Sequence, residues 1–191
     1  MVPNPDWALD LGSIDPQTIL AVSLGTARTM AEACICSLVS HSHPNGVGLQ
    51  WLSDDGSAEY KVIWPASLES PSIQRAFNRD DASEKGAEAI ALLWIRDRTQ
   101  YTAINRSATG TGIDYWLGPK DSDPELIFNS ACARLEVSGI HRENSGNTVN
   151  ARVSLKRQQV DRGERRLPVY IIIVEFSQPK ARMVLEHAKH S

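Results

Sequence analysis

Residues 169–174, Val-Tyr-Ile-Ile-Ile-Val, constrain the fold of this chain more than any other segment. The run is of strand length and far short of the roughly 20 apolar residues that span a membrane. Side chains alternate across a strand, so a run apolar at every position is buried on both faces of its sheet. Helices must then cover both faces, which predicts an α/β architecture with this strand near the centre of the sheet. With 191 residues the chain has material for one domain with a sizeable core.

The flanking pattern fills in the order of elements. Asp15 and Pro16 suit the cap and first position of a helix over 16–41, whose apolar positions include Ile19, Met30, Cys34 and Leu38. Alternating Val47, Leu49, Trp51 and Tyr60, Val62, Trp64 around Asp54-Asp55-Gly56 predict a β-hairpin over 47–64. A second helix over 81–95, with Ser83 as a cap, precedes three strands at 101–106, 113–117 and 133–140. A third helix over 147–160, the apolar strand and a closing helix over 179–189 complete the chain. Three strands on short loops favour an antiparallel meander, and the crossing helix lets the last strand run parallel to a neighbour. The expected layout is a single domain over 1–191: an extension over 1–80, a core over 81–178 and the closing segment 179–191.

Cys34 and Cys36 lie one residue apart in an apolar helical segment, with His41 and His43 nearby. Helix geometry separates positions two apart by about 200°, so buried free thiols are expected there in place of a zinc site. No signal peptide or apolar span is visible, and the expectation is a cytoplasmic protein without a membrane partner. The net charge of −3 argues against global electrostatic attraction to nucleic acid. The charge is uneven, however. Arg152, Lys156, Arg157, Arg162, Arg165 and Arg166 cluster between positions 152 and 166, which makes either a solvated helix face or a phosphate-contacting one.

Two carboxylates stand out because strands seldom carry them. Asp114 sits in the run Ile113-Asp-Tyr-Trp, and Glu136 sits between Leu135 and Val137. If their strands pair, the two come within several ångströms, and such a pair needs a shared cation or a raised pKa. Magnesium prefers oxygen ligands and would satisfy both. Glu84 and Glu88, one helical turn apart, offer a third oxygen, while the helix after Glu136 offers Arg152, Lys156 and Gln159. Phosphate-loop and dinucleotide glycine patterns are missing: Thr109-Gly-Thr-Gly112 joins two strands, not a strand to a helix.

Helix, three strands with Asp on the second and Glu on the third, then helix and strand, resembles the core of the PD-(D/E)xK nuclease superfamily. The resemblance covers about residues 80–178. It implies a restriction-endonuclease-like αβββαβ core and a nuclease cleaving DNA or RNA with Mg²⁺ or Mn²⁺. Asp114, Glu136 and Glu84 would then be metal ligands, and Glu88, Lys156 and Gln159 would assist catalysis. One branch of that superfamily carries a glutamine on the following helix, matching Gln158 or Gln159. The Glu-x-Lys position reads Glu136-Val137-Ser138, so the lysine is displaced, and Lys156 is its nearest replacement. The resemblance also implies a role in DNA processing or antiviral defence, including as a subunit beside an ATPase or helicase. Two other readings stay open: a catalytically degenerate scaffold of the same fold, and an unrelated α/β module in which Asp114 and Glu136 pair with Arg134 or Arg106.

Overall fold

A computed structural model describes residues 7–121, 131–161 and 166–188. The apolar run forms a strand at Val169–Glu175, and its two faces separate as its composition requires. Ile172 and Val174 enter the largest hydrophobic core, while Ile171 and Ile173 enter a smaller one on the opposite face.

In chain order the elements are β1 (Ala8–Asp10), α1 (Leu24–Ser40), β2 (Val47–Ser53), β3 (Gly56–Ile63), α2 (Ile73–Ala76), α3 (Arg79–Arg98), β4 (Tyr101–Arg106), β5 (Tyr115–Pro119), β6 (Ala133–Ile140), α4 (Val149–Val160), β7 (Val169–Glu175) and β8 (Lys180–Glu186). The strands make one mixed sheet in the order β1-β3-β2-β8-β7-β6-β5-β4. β4, β5 and β6 form the expected antiparallel meander, and β7 lies parallel to β6 after the α4 crossover. The larger core takes in residues of α1 and α3, and Val149, Val153 and Val160 of α4 pack in the smaller one. Among the described residues no helix is long and apolar enough to cross a membrane.

Close backbone contact seats α3 on the sheet. A side chain at Gly139 of β6 would overlap the Ser83 carbonyl of α3, so only glycine lets the helix lie this near. Trp51 and Trp94 stack with ring centroids 4.5 Å apart, tying β2 to the same helix. Cys34 and Cys36 are buried in α1, and burial pushes the Cys34 thiol far above its ordinary value.

Three local expectations change. The closing helix is instead strand β8, paired antiparallel with β7 and parallel with β2. Its Ala, Arg, Met, Leu and Glu favour a helix, but two ladders and the burial of Ala181, Met183 and Val184 outweigh that weak preference. The Glu175 carboxylate accepts from Ser177 N at 2.9 Å and Gln178 N at 2.8 Å, turning the chain back at once. The first helix starts at Leu24 under a Ser23 cap that accepts from Thr26 N at 3.1 Å. Asp15 closes only one turn, because Ala21 N donates to Ala103 O at 2.9 Å and draws the chain to β4. The α3 cap is Asn78, accepting from Asp81 N at 2.9 Å, whereas Ser83 lies inside the helix with its hydroxyl donating to Arg79 O.

Candidate active site

β5 is shorter than β6, and the site lies where β5 begins. β4 ends at Arg106, and residues 107–112 loop back before Asp114 rejoins the sheet. Gly110 and Gly112 have φ of +92° and +80°, the left-handed backbone that favours glycine in such a tight loop. Ser107 N donates to Asp114 O at 2.8 Å, and Asp114 N donates to Leu135 O at 2.9 Å. Asp114 therefore stands one residue before β5, not in mid-strand. Its Oδ2 accepts Val137 N at 2.8 Å and fixes the carboxylate beside β6.

Strand alternation sends Leu135 and Val137 into the larger core and leaves Glu136 with Arg134 and Ser138 on the α4 face. From α4, one turn apart, Lys156 and Gln159 reach the same oxygen. Lys156 Nζ donates to Glu136 Oε1 at 2.5 Å, and Gln159 Nε2 donates to it at 3.3 Å. Gln158 is exposed. With residues 106–114, Glu136, Lys156 and Gln159 line a cavity of about 450 Å³.

The electrostatics follow from burial and from like charge. Glu136 is 2% exposed. Burial and the neighbouring Asp114 carboxylate push its carboxyl up to about 7, against the opposing pull of Lys156. Burial also raises Asp114; the Val137 N–H and Lys156 partly offset this, and Glu88 adds to it.

Glu88 is near but engaged elsewhere. It accepts from Lys85 Nζ at 2.6 Å, Arg106 NH1 at 3.0 Å and the Tyr115 hydroxyl at 2.5 Å. Burial alone would raise its carboxyl, and these donors together hold it below its ordinary value. Glu84 is exposed in a separate cleft beside Ser83, Gly139, His141 and Arg152. The structure thus brings Asp114, Glu136, Lys156 and Gln159 together, ties Glu88 into a network behind them and leaves Glu84 apart.

Arg152 fills the space beside Ser138, where the resemblance expects a lysine. Its NH1 donates to Ser138 Oγ at 3.4 Å, and Nε and NH2 grip Asn147 Oδ1 at 3.2 and 2.8 Å. Arg157 pairs with Glu186 at 2.6 Å, and Arg162 and Arg165 lie outside the described residues. Arg134 donates through Nε and NH2 to Leu167 O. Trp116 of β5 packs, partly buried, against the smaller core. The sequence offers Arg106 only as an ion-pair partner of Asp114 or Glu136, whereas it bonds Glu88, and it does not single out Tyr115 or the 107–112 loop; the two loop glycines between a strand-end arginine and Asp114 are the available signal.

Among the described residues no group of three or more His, Cys, Asp or Glu side chains is placed to hold a metal ion. The donor set at Asp114 and Glu136 is nevertheless suited to a hard divalent cation: a half-buried carboxylate that raises a fully buried one beside it. No family model, no curated protein and no solved structure matches this chain.

Proposed function

We propose that the cleft between β5 and α4 is the active site of a metal-dependent nuclease with a restriction-endonuclease-like core, hydrolysing phosphodiesters of DNA or RNA. One observation carries the reading: Asp114, close enough to raise the buried Glu136 carboxyl, shares a cavity with it and with a lysine and a glutamine on the next helix. With both carboxylates ionised the pair calls for positive charge beside it, which Lys156 supplies in part and a divalent cation would complete. Asp114 and Glu136 would hold Mg²⁺ or Mn²⁺; when bound, the ion supplies an acidic water and neutralises charge on a phosphoryl oxygen. Lys156 places a second positive charge over the same carboxylate and offsets charge that builds on the phosphate. Gln159, within 3.3 Å of Glu136 Oε1, orients that carboxylate or the hydrolytic water. The helix–meander–helix–strand order and the positions of the two acids support the superfamily resemblance. Action on nucleic acid would place the protein in the cytoplasm, alone or beside an ATPase or helicase subunit in DNA processing or defence.

The test is cleavage of plasmid, single-stranded and double-stranded substrates with Mg²⁺, Mn²⁺ or EDTA. The reading expects cleavage that EDTA and Asp114→Ala both abolish, and cleavage that survives Asp114→Ala would sink it. A second reading, a nucleic-acid-binding subunit without catalysis, is favoured by the Lys156–Glu136 ion pair at 2.5 Å, which already neutralises one of the two carboxylates. That reading expects no cleavage and indifference of binding to Mg²⁺.

A further inference from the structure

Arg106 closes β4 at the rim of the cleft, and its side chain is 49% exposed. The other half is gripped from behind. NH1 donates to Glu88 Oε2 at 3.0 Å and to the Tyr115 hydroxyl at 2.9 Å, while NH2 donates to Glu88 Oε1 at 3.4 Å. The grip is itself rigid. Glu88 is 6% exposed and Tyr115 is fully buried. The Tyr115 ring also lies beneath the guanidinium, 5.3 Å from ring centroid to Cζ.

This arrangement exceeds what a structural ion pair needs. Lys85 already donates to Glu88 at 2.6 Å, so that buried anion has a cation without Arg106, whose other nearby carboxylate is Asp114. A guanidinium has five N–H donors, of which three are engaged, leaving donors for a further acceptor. The neighbouring wall, residues 107–112, carries the Thr109 hydroxyl and the mutually bonded Ser107 and Thr111 hydroxyls, and Asp114 and Glu136 line the same cleft. A guanidinium fixed in its plane loses little freedom on meeting a phosphate, which is the reason to clamp one.

We propose that Arg106 binds a phosphate of the polynucleotide backbone at the rim of this cleft, and that Glu88 and Tyr115 are positioning residues that hold its guanidinium. The proposal rests on the nuclease reading for its substrate, and its test does not need catalysis. Fluorescently labelled single-stranded and double-stranded oligonucleotides are titrated with the full chain in EDTA, between about 50 and 200 mM salt. Arg106→Gln removes the charge and keeps an amide able to donate to Glu88. It is expected to weaken binding about tenfold and to lower the slope of log affinity on log salt by about 0.7–0.9, one phosphate contact. Arg106→Lys is expected to keep the slope with weaker binding. Tyr115→Phe and Glu88→Gln are expected to weaken binding less than Arg106→Gln. Wild-type affinity and slope in Arg106→Gln, or no oligonucleotide binding by the wild type, overturns the proposal. A wild type that binds with an Arg106-dependent slope yet never cleaves overturns the nuclease reading alone.

Discussion

Asp114 Oδ2 accepts the backbone N–H of Val137 at 2.8 Å, so a side chain takes over at the point where the β5 backbone stops pairing with β6. The carboxylate that faces the cleft is therefore also part of the sheet, and substitution there has separable consequences. Asp114→Asn keeps an acceptor for Val137 and removes a charge beside Glu136. It is expected to unfold at a urea concentration equal to or above wild type at pH 8. Asp114→Ala leaves a buried N–H unpaired and should cost about 1–3 kcal/mol. Equal loss in both variants would show that the hydrogen bond does not matter.

Glu136 sets the pH dependence of the metal-free protein. Its folded carboxyl, raised to about 7 from an ordinary 4.5, holds its proton more tightly than the unfolded chain does. The stabilisation is complete below the unfolded value and is lost as pH rises through the folded one. Stability in EDTA should fall between pH 5 and 8 by up to about 3 kcal/mol. The raised Asp114 acts in the same direction. His41 and His141, both lowered by burial, act in the opposite direction over part of the window. The slope is accordingly read as wild type minus Glu136→Gln, by urea unfolding at each pH. A difference that stays flat or rises contradicts the raised carboxyl.

Divalent metal should reverse this loss. At pH 8 a saturating Mg²⁺ or Mn²⁺ concentration, about 100 times the dissociation constant, is expected to stabilise the wild type by about 3 kcal/mol. Glu136→Gln and Asp114→Ala should show little of that gain in a thermal-shift titration. An equal gain in all three proteins would assign the metal to another place.

Gly139 tests the seat of α3 independently of chemistry. An added Cβ overlaps the Ser83 carbonyl, a backbone atom that cannot swing aside. Gly139→Ala should cost at least about 3 kcal/mol, in the upper range for a single substitution. Wild-type stability in that variant would mean the helix lies further from β6.

Much of this architecture is legible in the chain. The unbroken apolar run 169–174 foretold a strand buried on two faces, and the crossing helix before it foretold a parallel β7. The pairing of Asp114 with Glu136 followed from strand order, and Lys156 and Gln159 from helical spacing. Residues 180–186 misled because their helical preference is local, whereas one of their two ladders is with β2, far earlier in the chain. The same distance effect hid Glu88. Read alone it is a carboxylate one turn from Glu84, and only the fold brings Arg106 and Tyr115 to it.

β8 deserves a last consideration as a seam. β2 touches β7 only through it, so the hairpin of β2 and β3 and the strands around the cleft belong to one sheet by virtue of seven residues near the end of the chain. The hairpin precedes β8 in sequence, so β2 gains its second partner in the sheet only once β8 is made. This sheet is thus joined at its middle in space, by the last of its strands in sequence.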